Sequence, residues 1–309
     1  MRFLVLLFTV LVSAPALASD SPPLLTFWGG PGSGPGQFHH PGDVAVAPDG
    51  DVYVVDRGND RIQYFTSSGS YLGEWGASGT APGQFDTPHS IAIGTDGSVY
   101  VSDLANRVQK FTPTGSYLMS FTDSLSKPEG VAVDADGHVY VGNAGWRYHI
   151  AKFDASGGLI KNFARLDVGY SMEADQDGCL FVSQTAIERY TTDGDFVGVA
   201  SNDATGEHAS YGVAVDPLSR VFEAEGGLDP PDDIIVWSHD LQYRDRWYPP
   251  LPPATHPAWL TPKIDDLAAT TDGILYLTDY ANDLILKVQY FAPVPTLHVT
   301  WGSLKASYR

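Results

Sequence analysis

Apolar and polar residues alternate along most of the chain in short runs broken by Gly, Pro, Asp and Ser, the period-two pattern of half-buried strands. "DVAVAPDGDVYVVD" shows the unit: a short apolar strand, a turn signal at Asp49–Gly50, and a second strand rich in β-branched and aromatic residues. The same phrase recurs as "SIAIGTDGSVYVSD", "GVAVDADGHVYVGN", "SMEADQDGCLFVSQ", "GVAVDPLSRVFEAE" and "DLAATTDGILYLTD". Its last residues are Asp56, Asp103, Asn143, Gln184, Glu225 and Asp279, at intervals of 47, 40, 41, 41 and 54 residues. That period with β content predicts an all-β chain, a propeller of six four-stranded antiparallel blades. Third and fourth strands follow each phrase, as in "RIQYF–SSG–SYLGEWG" and "RVQKF–PTG–SYLMSF".

Residue choices agree with this plan. Ala45, Ala92, Ala132, Ala214 and Ala268 put small side chains on the innermost strands, where blades converge. Asp-Gly at five of the six turns predicts two-residue hairpins, and "PLSR" in the fifth copy predicts a different, looser turn. "LLTFWGG" precedes the first copy and resembles the fourth strand "YLGEWGA", while the last copy lacks a fourth strand of its own. The N-terminal strand is therefore expected to complete blade six. The Gly-rich "GGPGSGPG" contains no G-x-G-x-x-G and precedes no helix pattern, so it reads as a connector and not a phosphate loop.

The stretch "PGQFHHPGDVAVAPDGDVYVVDRGNDRIQYFTSSGSYLGEWG" resembles an NHL repeat, and the second copy follows the same pattern closely. Copies four and five keep the spacing but lose the Asn-x-Arg-Ile portion. The resemblance implies a six-bladed β-propeller and is only weakly informative about activity.

Three segments are expected. Residues 1–18 read as a cleavable signal peptide: Arg2, the apolar "FLVLLFTVLV", then "ALA". Residues 19–292 form the propeller and 293–309 a tail. The expected location is periplasmic or secreted, with no membrane span. Eighteen Lys and Arg against 37 Asp and Glu give a net charge of −19, which disfavours nucleic acid and suits cations or basic partners. Cys179 is the single cysteine, so no internal disulfide can form, and its strand context suggests a buried apolar thiol. A closed ring hides its sheet edges, and a monomer is expected.

In a propeller the loop leading into each innermost strand and the loop leaving each second strand share one face. The inlet positions are Gly42, His89, Glu129, Tyr170, Tyr211 and Asp265. The outlet positions are the six phrase-ending residues, which can instead hydrogen-bond their own turns. Two long loops, carrying His256 and Trp259, are expected to overhang the same face. The favoured function is a non-enzymatic scaffold that binds protein, peptide or glycan through this funnel face, with His89, Glu129, Tyr170, Tyr211, Asp265, His256 and Trp259 as candidates. No cofactor is required. The alternative is a calcium-dependent, lactonase-like hydrolase drawing oxygens from Asp103, Glu129, Asn143 and Asp265. Resemblance to peptidyl-amidating lyases suggests a third possibility, a zinc enzyme. His89 matches that pattern, but the alternate blades carry Tyr170 and Asp265 where histidines would be needed.

Overall fold

The computed structural model describes residues 22–145, 149–164, 171–200, 209–226, 233–250 and 262–290. These build six four-stranded antiparallel sheets. The innermost strands are Pro41–Val46, Pro88–Ile93, Pro128–Val133, Met172–Ala174, Ala209–Val215 and Ile264–Ala269, in blades one to six. Each packs beside the next, and the sixth packs beside the first, so the ring closes. Leu24–Gly29 pairs with Leu284–Gln289 as the outer strand of blade six, as the "LLTFWGG" motif predicts. Among the described residues no helix is long and apolar enough to cross a membrane.

The core is divided among the blade interfaces. Phe65 of blade one and Tyr276 of blade six both pack on Trp28 of the closing strand, with ring centroids 5.8 and 6.0 Å away. Phe85 and Phe111 repeat this packing with Trp75 and Ile62 between blades one and two. A fully buried aromatic contributes roughly 1.5–3 kcal/mol, so these wedges supply much of the ring's cohesion.

The turns correct one expectation. Gly50 N–H bonds the Ala47 carbonyl while Ala47 N–H bonds the Asp51 carbonyl, which leaves a three-residue loop. Only the glycine is left-handed (φ 93°), closing a type I turn as a bulge; two-residue turns with Asn-Gly or Asp-Gly would need positive φ at both positions. Pro48 fits the first corner of this turn, which explains "PDG". Blade five is not looser. Ser219 N–H bonds the Asp216 carbonyl in the same geometry, with Ser219 itself at φ 60°.

The outlet residues are buried in the blades. Asp56 accepts from His39 N–H (2.8 Å), Arg61 Nε (2.7 Å) and Gln63 Nε2 (3.0 Å). Arg61 also donates to the carbonyls of Ser33, Gly34 and Gln37, which ties down the Gly-rich connector. Blade two repeats the bracket with Asp103, Arg107 and Gln109.

Candidate functional site

Three residues that open innermost strands, Gly42, His89 and Asp265, meet Tyr211 and the side chain of Arg57 around a cavity of about 110 Å³ at the axis. Arg57 follows Asp56 and leaves blade one in a short 3-10 turn, Arg57–Asn59. Its Nη2 lies 3.0 Å from Asp265 Oδ2, across the blade-six boundary. Gly42 makes room for this, since a Cβ there would stand 2.6 Å from Arg57 Nη2.

Hydroxyls hold the inlet positions from behind. Ser102 donates to the Glu129 carbonyl (2.7 Å), Ser183 to the Tyr211 carbonyl (2.9 Å), and Thr278 to the Gly42 carbonyl (3.1 Å). Each hydroxyl also accepts an N–H from its own innermost strand: Ser90, Ser171 and Asp266 respectively. Alternate blades therefore carry Ser or Thr just before the outlet residue, and each fixes the mouth of the blade that follows.

The mouth is polar and incompletely hydrogen-bonded. His89 Nδ1, Arg57 Nε and Glu129 Oε2 are buried without a hydrogen-bond partner among the described residues. Burial, reinforced by the Arg57 charge, lowers the His89 pKa to about 3, so its imidazole is neutral at physiological pH. Burial raises the Glu129 carboxyl, while Arg57 and Lys127 pull it back down. The site thus offers a guanidinium donor, a neutral imidazole and a carboxyl that a ligand could engage together.

Below the mouth, the axial shaft is lined by small aliphatic residues and three acids. Asp43 Oδ2 accepts Ile91 N–H from blade two at 2.7 Å. Asp266 accepts Leu267 N–H (2.8 Å) and the Ser171 hydroxyl (3.2 Å). Burial, and then a hydrogen bond and like charge from Asp43, push Asp266 well above the usual carboxylate range. Glu173 takes the register that five blades give to alanine. It lines the shaft with its side chain open to the lumen, and the surrounding protein with the nearby Asp43 and Asp175 charges pushes its carboxyl above the ordinary range.

His89, Tyr211 and Asp265 therefore share one cavity, and Glu129 lies close enough to feel the Arg57 charge. Tyr170, His256 and Trp259 lie outside the described residues. Asp103 is committed to Arg107, and Asn143 accepts Ser126 N–H at 2.9 Å, so both work inside their blades. Sequence reading missed Arg57, Asp43, Asp266 and Glu173. Arg57 is the only basic residue at its register, and Glu173 is the only exception in the alanine series; both exceptions were visible signals.

An NHL repeat model matches residues 38–65. No curated protein matches the chain in sequence. Among solved structures, virginiamycin B lyase from Staphylococcus aureus, determined with quinupristin, is 15% identical with a TM-score of 0.60 over 84% of this chain and 83% of that one. Hydrazine synthase from Kuenenia stuttgartiensis is 12% identical with a TM-score of 0.58, covering 82% and 96%. U3-55K is 11% identical with a TM-score of 0.59, covering 81% and 95%. At these identities the likeness is one of fold. The chain is a six-bladed β-propeller that carries an NHL repeat.

Proposed function

We propose that this propeller is a binding module whose axial mouth receives a polar group of a peptide or glycan. The observation that carries the reading is the set of unmatched buried atoms, His89 Nδ1, Arg57 Nε and Glu129 Oε2. A buried polar atom without a partner costs about 1–3 kcal/mol, and a ligand that supplies the missing partners recovers that cost on binding. A lyase of similar fold was determined with quinupristin, so a propeller of this kind can hold a small ligand. Secretion or periplasmic export, and a monomeric state, accompany this reading.

The two enzymatic alternatives have less support. His89 stands without histidine partners at the described inlet positions, and its low basicity suits a hydrogen-bonding role better than proton abstraction. Asp265, one of the four calcium candidates, is engaged by Arg57. Elemental analysis of protein purified without chelator, beside Asp265→Ala, separates the readings: one calcium lost in the variant favours the hydrolase.

The test of the binding reading is a peptide and glycan array probed with labelled protein and with Arg57→Gln. The expected result is a defined set of ligands bound by the wild type and lost by the variant. An identical pattern from both proteins would overturn the assignment of the mouth.

A further inference from the structure

Independent of the mouth, the opposite face holds a group of metal-ligating side chains. Asp175 and Cys179 flank the first hairpin of blade four, and His239 comes from the outer hairpin of blade five. A carboxylate oxygen, the thiol sulfur and a ring nitrogen of these three lie within 4.8 Å of one another.

The repeat shows how unusual the group is. Blades three and five place Asp134 and Asp216 at the register of Asp175, and each finds a basic partner four residues on: His138 at 3.0 Å and Arg220, respectively. Blade four puts Cys179 at that fourth position and takes its base from the neighbouring blade instead, with His239 Nε2 2.7 Å from Asp175 Oδ2.

Cys179 is buried in the apolar cluster between blades four and five, as its strand context predicts, but its sulfur also meets a guanidinium. Arg189 Nε and Nη2 donate to Cys179 Sγ at 3.3 and 3.2 Å. Two donors of one guanidinium therefore face the sulfur from the side of the hairpin. Such donors are the outer partners that a metal-bound thiolate uses.

We propose that Asp175, Cys179 and His239 form a zinc-type cation site that clamps blade four to blade five on the face opposite the mouth. Thiolate, imidazole and carboxylate are the donor set of zinc. Bonds of about 2.0–2.3 Å would set the ligand atoms roughly 3.3–3.8 Å apart, within small side-chain rotations of the present arrangement. Asp177 Oδ2, 4.0 Å from His239 Nε2 and largely exposed, stands within reach as a fourth ligand. The clamp falls where support is useful, because the innermost strand of blade four has only three residues, Met172–Ala174.

The test is a titration of tag-free protein with Co²⁺ alone, followed by absorption. With a single cysteine in the chain, any thiolate-to-cobalt charge-transfer band reports Cys179. The expected result is a band saturating at one equivalent, bleached by Zn²⁺ and absent from Cys179→Ser. His239→Asn, on a hairpin at the surface, should keep the wild-type circular dichroism and weaken Co²⁺ binding by at least about tenfold. A folded wild type with no band at saturating Co²⁺, or an undiminished band in His239→Asn, would overturn the proposal.

Discussion

Arg57 of blade one reaches Asp265 of blade six at 3.0 Å, joining the first and last repeats at the rim of the axial mouth. The pair is partly exposed, so its worth to stability is small, about 0–1 kcal/mol. Its importance is to aim a guanidinium at His89 and Glu129. Gly42→Ala should move Arg57 aside, because the new Cβ would stand 2.6 Å from Nη2. The expected outcome is a melting temperature close to wild type with array binding lost. Retained binding would show that the position of Arg57 does not matter.

Arg57→Gln should raise the pKa of His89 from about 3, as one of its two depressing influences is removed. Burial is the larger cause and remains, so the value should stay below the ordinary 6.5. Histidine ring shifts followed by NMR across the acid range check this. An unmoved titration would mean that Arg57 and His89 do not interact.

Buried Glu223 accepts a hydrogen bond from the Trp237 indole at 2.7 Å, and burial raises its pKa from 4.5 to about 7. The folded state holds this proton more tightly than the unfolded chain. The stability it confers is therefore full below pH 4.5 and is lost as pH rises through about 7. Glu223→Gln should flatten that slope and stabilise the protein at pH 8 by on the order of 2 kcal/mol. Urea denaturation at pH 5 and pH 8 measures both. An unchanged slope would place the titration elsewhere.

Ser219→Gly removes a left-handed serine at φ 60° and the Ser219 hydroxyl's bond to Asp177 Oδ2 at 3.1 Å. Relief of the backbone should outweigh an exposed hydrogen bond and stabilise the protein by up to about 1 kcal/mol. A higher urea midpoint with an unchanged m-value is expected. A lower midpoint would mean that the hydroxyl matters more.

Deleting residues 19–30 should lower the melting temperature of the whole ring, since it removes the partner of Leu284–Gln289. A truncated protein melting with the wild type would contradict closure by this strand.

The fold was legible because its information is periodic. Asp-Gly turns, alanines near the axis and paired aromatics recur at fixed offsets, and "LLTFWGG" supplies the strand that blade six lacks. Turn type was not legible from Asp-Gly alone, because the same dipeptide serves a two-residue turn and a type I turn with a bulge. Only the pairing of Ala47 with Asp51 separates them. Register likewise identified His89, Tyr211 and Asp265 as neighbours of one cavity. Arg57 escaped notice because it reaches its partner across the ring closure, 208 positions away in the chain. The Cys179 group depends on a hairpin of one blade meeting a hairpin of the next, a contact that no spacing within a repeat encodes.

The central claim is that the axial mouth is where ligand binds. The most direct measurement is NMR of ¹⁵N-histidine-labelled protein titrated with a ligand found on the array. The account predicts that the His89 ring resonances shift and saturate, while those of His138 and His239, set in hairpins on the far face, stay in place. Saturable binding that leaves His89 unmoved would contradict it.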